Sequence, residues 1–128
     1  MSLIKKIDIK IWGRDFSLKV EYDCFKGETV TNGQNKLLDD LLLNESWIEE
    51  SKKDVEKFCK KALEKDETNN KKDNMFSYVK PDYIFVKRDD KKPRIAIMCK
   101  YKYDIEHGIA VVFSDKGEIS VGIQDIIL

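Results

Sequence analysis

Apolar and charged residues alternate at the start of the chain, and this alternation predicts a pair of strands. A charged residue separates neighbouring isoleucines in residues 7–11, and apolar residues again take every second position in residues 16–22. Gly13-Arg14 lies between the two runs, so we predict a hairpin over residues 4–24 with a two-residue turn at that pair. The resulting register pairs Ile11 with Phe16, Ile9 with Leu18 and Ile7 with Val20, which places the large apolar groups on one face.

Two helical patterns follow, over about residues 32–66. The first comes after Thr31-Asn-Gly-Gln34, a capping-box pattern, and carries four leucines on one face between residues 37 and 42. The second begins at Ser46, and its apolar residues recur at intervals of three and four until the helix ends near Lys65 or Asp66. Residues 64–74 contain no apolar residue, so we expect a mobile connection over 67–75.

Strand patterns return in residues 78–128 as a predicted meander of four strands. The predicted strands span residues 82–86, 94–101, 109–113 and 118–123. The middle two are apolar almost throughout, as buried central strands are, and the last alternates as a strand near an edge does. The turn before the last strand suits a left-handed Gly117, which sets Phe113 opposite Ile119 and Val111 opposite Val121.

Together these patterns predict one α+β domain over residues 1–128. Its sheet is expected to be antiparallel, with about six strands and with both helices packed on one face. Whether the N-terminal hairpin joins the sheet of the C-terminal meander is left open by the pattern.

The charge balance excludes one class of partner. Lysine and arginine together number 24, as do aspartate and glutamate. A chain without net positive charge lacks the field that draws proteins onto nucleic acid, so we expect no nucleic-acid partner. No apolar run approaches the roughly 20 residues that span a bilayer, so we expect no membrane partner and a cytoplasmic location.

The cysteines and glycines point to no cofactor. Cys24, Cys59 and Cys99 are widely spaced and form no C-x-x-C pair, so we expect reduced thiols that pack in the core. No glycine-rich motif leads from a strand into a helix, and nucleotide binding therefore has no local support.

One cluster of polar residues carries candidate chemistry. His107 is the only histidine of the chain, and it lies close to Asp104 and Glu106 between two apolar runs. Imidazole and carboxylate are ligands of divalent ions, but a single histidine would leave carboxylates as most of the ligands, an uncommon set for zinc. The predicted register sets Cys99 opposite Val111, about 13 Å along the ladder from His107, too far for a nucleophile. We therefore assign no catalytic residue and no metal.

The same cluster suits a turn between two strands. Asp104 can close the turn with its own side chain, and Gly108 can take a backbone conformation that other residues avoid. Such a turn is also a candidate recognition surface for another protein, with His107 as a contact. We take Asp104, Glu106 and His107 as candidate binding residues.

The segments YDIEHGIAVVF and GEISVGIQDIIL resemble a signature at the carboxy-terminal end of a known family. That family consists of small bacterial cytoplasmic proteins in which a D-P-E-H-G turn precedes an apolar strand and the chain ends in V/I-G-x-x-D-x-x-L. The matching positions are Asp104, Glu106, His107, Gly108, Phe113, Gly122, Asp125 and Leu128. Ile105 stands where the family has proline, and the resemblance covers about the last 35 residues. It implies a bacterial domain of no established activity, similar in size to immunity proteins that neutralise toxins.

We therefore expect a bacterial, non-enzymatic protein-binding module, immunity-like, that masks a protein partner. The missing catalytic constellation, the dense but balanced charge and a sheet edge able to accept another strand support this expectation. Two alternatives stay open. One is a divalent-metal-binding protein or metal-dependent enzyme that uses Asp104, Glu106 and His107, and the other is a self-associating structural protein whose strand 118–123 pairs across a homodimer.

Overall fold

A computed structural model describes residues 5–23, 32–63, 79–87 and 93–127 of the chain. In chain order the elements are β1 (Lys5–Ile11), β2 (Arg14–Tyr22), α1 (Asn32–Leu43), α2 (Glu45–Leu63), β3 (Val79–Val86), β4 (Arg94–Tyr101), β5 (Ile109–Ser114) and β6 (Ile119–Gly122), followed by a 3-10 turn at Gln124–Ile126. The predicted α+β class, the hairpin, both helices and the four later strands are confirmed. Cys24, the cap at Thr31, the predicted end of the second helix and the connection at 67–75 lie outside the described residues.

The six strands form one sheet whose spatial order follows the chain, so the N-terminal hairpin joins the C-terminal strands. Neighbouring strands are antiparallel, as predicted, except that β2 and β3 run parallel, with Lys19 opposite Tyr83 and Tyr22 opposite Val86. The two helices lie between these strands in the chain. A parallel pair needs such a long crossover, because the chain must return to the end of the sheet from which it started.

A buried glutamine ties the first helix to the parallel pair. Gln34 is 2% exposed, and its Nε2 donates to the carbonyl oxygens of Asp23, at 3.0 Å, and Val86, at 3.2 Å. The Asp23 amide donates to the same Val86 oxygen at 2.9 Å. The sequence predicted Gln34 as one half of a helix cap whose other half, Thr31, lies outside the described residues, and the amide group of Gln34 satisfies the ends of two strands.

Both helices cover the same face of the sheet, as predicted. The leucine face of α1 is buried at Leu37, Leu38 and Leu41, and α2 buries Ile48, Val55 and Cys59. These side chains pack with the inward residues of all six strands in one apolar core. A smaller cluster occupies the other face of the sheet, at Ala96, Met98, Ala110, Val112 and Ile127. The second helix begins at Glu45, one residue before its predicted start at Ser46.

The hairpin turn differs from the prediction. It consists of Trp12 and Gly13, with φ angles of 50° and 87°, as a type I′ turn requires. Ile9 therefore lies opposite Phe16 instead of Leu18, a shift of two residues that keeps every side chain on its predicted face. The reason lies in the tertiary structure, because the Trp12 side chain is buried and its Nε1 donates to Ser51 Oγ on α2 at 3.0 Å.

The last hairpin follows the prediction closely. Gly117 has φ +84°, and Phe113 pairs with Ile119 and Val111 with Val121. β6 forms one edge of the sheet, and α2 packs along it. No helix within the described residues is long and apolar enough to cross a membrane.

Candidate functional site

The predicted cluster lies in the segment that joins the two central strands, residues 102–108, which we call the 102–108 turn. β4 and β5 pair with Cys99 opposite Ile109, and not opposite Val111 as predicted. The shift of two residues reflects the hydrogen bonds within the turn. The Asp104 amide donates to the Tyr101 carbonyl at 3.2 Å, and the Gly108 amide donates to the Asp104 carbonyl at 2.9 Å, so two consecutive tight turns make the connection.

Asp104 organises the turn with its side chain, as the sequence predicted. Its Oδ1 accepts a hydrogen bond from the His107 backbone N–H at 3.2 Å and lies 3.0 Å from His107 Nδ1. A carboxylate that accepts from the amide three residues later satisfies a polar group that the strand ladder leaves unpaired. The structure thus brings Asp104 and His107 together.

The pairing alters the acid–base behaviour of the histidine. The hydrogen bond that the His107 ring donates to Asp104 raises the pKa of His107, and the negative charges of Asp104, Glu106 and Asp125 act in the same direction. A nearby carboxylate favours the charged imidazolium, and the modest desolvation of this exposed ring opposes the rise only in part. Glu106 therefore contributes through its charge to the field at His107.

Gly108 and Gln124 hold the turn against the end of the sheet. Gly108 is buried with φ +61°, and a Cβ at this position would lie 2.7 Å from the Cys99 carbonyl oxygen and from Gln124 Nε2. Gln124 Nε2 donates to that same carbonyl at 3.2 Å, and the Gln124 backbone amide donates to the His107 carbonyl at 3.2 Å. The close approach explains why glycine is needed, and the two bonds from Gln124 fix the turn to the 3-10 segment.

The described residues do not support a metal centre. They contain no group of three or more His, Cys, Asp or Glu side chains that could hold a metal ion. The structure joins His107 to Asp104, but it does not assemble Asp104, Glu106 and His107 as a ligand set.

Neither described cysteine offers His107 an activated nucleophile. Cys99 is fully buried, and burial raises the pKa of its thiol, so the thiolate is disfavoured. The thiolate of Cys59, on α2, is disfavoured as well, because burial raises the pKa of its thiol to about 11. Both described cysteines are reduced core residues, as the sequence predicted.

The turn also exposes apolar groups that the sequence analysis did not single out. Ile105 is 86% exposed at the tip, and Tyr103 is 43% exposed beside it. The Tyr103 ring meets the ring of Tyr101 edge to face, with centroids 5.6 Å apart, and Lys102 Nζ lies 5.8 Å from its centroid. The sequence signal was available, because an isoleucine between Asp104 and Glu106 has no core to enter from a turn. We call Tyr103, Ile105, Glu106 and His107 the turn surface.

A concave feature lies near the opposite edge of the sheet, at the N-terminal hairpin. An open groove of about 620 Å³ is lined by residues of β1 and β2 and by the first residue of α2. Its lining consists of Asp8, Ile9, Lys10, Asp15, Phe16, Ser17 and Glu45. Small-molecule sites are enclosed and mostly apolar, so an open groove with four charged residues does not fit that class.

The family of the chain follows from comparison of its sequence with family models. The model of a domain of unknown function, DUF6985, matches residues 3–128. The chain belongs to this family. The match covers almost the whole chain, while the bacterial source and the D-x-E-H-G motif stay predictions. No curated protein and no solved structure gives a match.

Proposed function

We propose that this member of the DUF6985 family is a non-enzymatic protein-binding module that binds its partner through the turn surface. The exposure of Ile105 carries the proposal. Folding of the chain leaves this side chain in water. Burying it against a partner would stabilise the complex by about 25 cal/mol for each Å² of apolar area removed from water.

The composition of the turn surface suits a protein partner. Tyr103 supplies an amphipathic ring, and Ile105 supplies an aliphatic side chain at the most prominent point. Glu106 and His107 surround them with charge. Interfaces commonly place aromatic and aliphatic anchors at the centre and polar groups at the rim, so the pattern supports binding.

The anchoring of the turn supports the same proposal. Gln124 bonds the turn at the Cys99 and His107 carbonyls, and Asp104 closes it from inside. A surface that is already ordered loses less conformational entropy when it binds, which favours affinity. The chemistry of the site favours binding over catalysis as well, since the nearby thiol is buried and protonated.

The compartment and the class of partner that we propose are those expected from the sequence. The bacterial cytoplasm is the compartment in which we place the module, because three widely spaced cysteines without a C-x-x-C pair suit a reducing environment. Masking of a partner, as immunity proteins do, is the mode of action that the missing catalytic constellation favours.

The decisive experiment compares two exposed apolar positions. Ile105→Asp removes the anchor from the turn surface, whereas Leu43→Asp changes a side chain that is 81% exposed at the end of α1. The parent chain and both variants are immobilised and exposed to an extract of the source organism, and bound proteins are identified by mass spectrometry. We expect a protein that the parent and Leu43→Asp retain and Ile105→Asp loses.

The candidate partner is then purified and its affinity measured by calorimetry. Loss of a central apolar anchor should weaken binding on the order of 30-fold or more, since hot-spot residues contribute about 2 kcal/mol or more. Equal retention by all three chains, or equal loss by both variants, would contradict the proposal. Unfolding curves that coincide for the two variants establish that folding is not the cause.

A further inference from the structure

The sheet has two edge strands, and α2 contacts both of them, β6 more extensively than β1. α2 packs along β6, and the Trp47 ring lies so close to Gly117 that a Cβ there would be 2.6 Å away. Half-buried Ile119 and Val121 join the core on this side. β1 forms the opposite edge, and among the described residues β2 is its only paired neighbour. The sequence suggested residues 118–123 as a self-pairing strand, but the cover over β6 favours β1.

The turn geometry determines which backbone groups of β1 point outward. A two-residue turn at Trp12-Gly13 is closed by the hydrogen-bonded pair Ile11 and Arg14. Bonded and non-bonded pairs then alternate along the hairpin. The N–H and C=O groups of Lys6, Asp8 and Lys10 therefore point away from β2, toward the open edge.

Lysine on an edge strand ordinarily prevents pairing with another strand. Here Asp8 lies between Lys6 and Lys10, and all three side chains are exposed. In the described residues neither Asp8 nor Lys10 takes part in an ion pair, although Lys10 has Asp15 as its cross-strand neighbour. The strand carries both signs of charge at alternate positions, which allows one copy to complement another.

We propose that two copies of this chain pair antiparallel through β1, with a two-fold axis at Ile9, so that Asp8 of each copy lies opposite Lys10 of the other. The outward backbone groups of these residues then bond across the axis. Ile9 meets its own copy, and Ile7 lies opposite Ile11 of the second copy.

Charge selects this register over its neighbour. An axis at Asp8 would place the two aspartates opposite each other and Lys6 opposite Lys10, and like charges at opposed positions destabilise a sheet. The proposal stands apart from the turn surface and its partner.

A charge exchange tests the pairing. Asp8→Lys gives each chain two lysines at the opposed positions, and Lys10→Asp gives two aspartates, so each variant alone meets like charges. Molar mass is measured by light scattering and sedimentation over a wide range of concentrations. We expect the parent to dimerise and each variant to dissociate on the order of tenfold or more readily.

Mixing the two variants restores opposite charges at both contacts, so the mixture should dimerise about as well as the parent. The double variant Asp8→Lys with Lys10→Asp should do the same. Lys19→Asp and Glu21→Lys are matched controls, because they change exposed charges of β2 that do not lie at the edge.

Three results would overturn the proposal. The parent could be a monomer at every concentration, the mixture could stay dissociated, or the β2 controls could dissociate the dimer equally. Rescue of Asp8→Lys by Lys6→Asp instead of Lys10→Asp would overturn the axis at Ile9. Circular dichroism of each variant confirms that the chain is folded in every arm.

Discussion

The β1–β2 turn and the 102–108 turn each contain a large apolar side chain and a glycine with positive φ, yet they treat that side chain in opposite ways. Trp12 is 5% exposed, whereas Ile105 is 86% exposed. The indole of Trp12 reaches Ser51 on α2, while in the other turn polar groups and Gly108 make the attachments and Ile105 points away from the core.

The difference separates a turn that stabilises the fold from one that presents a surface. Trp12 adopts a φ of 50°, a conformation that costs a non-glycine residue about 1–2 kcal/mol. Burial of a tryptophan side chain and its hydrogen bond offset that cost. Ile105 gains no such burial, so its position at the tip does not stabilise the fold in this way.

Replacing the buried side chain gives the largest expected effect. Trp12→Ala leaves a cavity under the hairpin and should lower the free energy of unfolding by about 3–5 kcal/mol, as Trp-to-Ala changes in cores do. Ile105→Ala should change it by about 0.5 kcal/mol or less, as exposed substitutions do. Urea unfolding followed by circular dichroism measures both. Similar losses for the two variants would remove the distinction between the turns.

The two glycines give a matched pair with a smaller effect. Gly108→Ala meets the Cys99 carbonyl at 2.7 Å and should lower the free energy of unfolding by about 2–4 kcal/mol, from backbone strain and overpacking together. Gly13 also has positive φ, at +87°, but a Cβ there meets nothing within 4 Å. Gly13→Ala should therefore lose only about 1–2 kcal/mol. The same unfolding assay checks both, and a greater loss at Gly13 would contradict the packing argument.

Much of the fold could be predicted, because side-chain alternation fixes the face of each residue. Two strand registers were wrong by two residues, at Ile9–Phe16 and Cys99–Ile109, and both errors left the faces unchanged. The register of β5 and β6 was right because Gly117 marks its turn locally. The hairpin register instead depends on the contact of Trp12 with α2, which no local pattern contains.

The candidate site also combines local features that the sequence could predict with features that depend on the tertiary structure. Closure of the turn by the Asp104 side chain and the left-handed Gly108 are local features, and the sequence predicted them. The brace from Gln124 joins residues that are far apart in the chain, and the exposure of Ile105 depends on which elements surround the turn. The parallel pairing of β2 and β3 could not be predicted from the residue pattern either. It depends on the end of the sheet at which the chain re-enters after the two helices.

The smallest expected effect concerns the pKa of His107, which lies beside Ile105 in the turn surface. The pKa of His107 should lie above its ordinary value of about 6.5, and Asp104→Asn should lower it, because the amide keeps an oxygen for the His107 backbone N–H but loses the charge. A single histidine makes the NMR titration free of overlap. Glu106→Gln, which removes a weaker influence, should lower the pKa less.

The sign of the pH dependence follows from that shift. A group whose pKa is raised on folding contributes stability below its unfolded pKa and loses it as the pH rises through the folded value. The interaction between Asp104 and His107 is therefore strongest when the ring is protonated. Because the ring is exposed, the accompanying change in the free energy of unfolding is small. An unchanged pKa in Asp104→Asn would mean that the side chains do not interact in solution. The 102–108 turn would then depend on Gly108 and Gln124 to keep Ile105 in place.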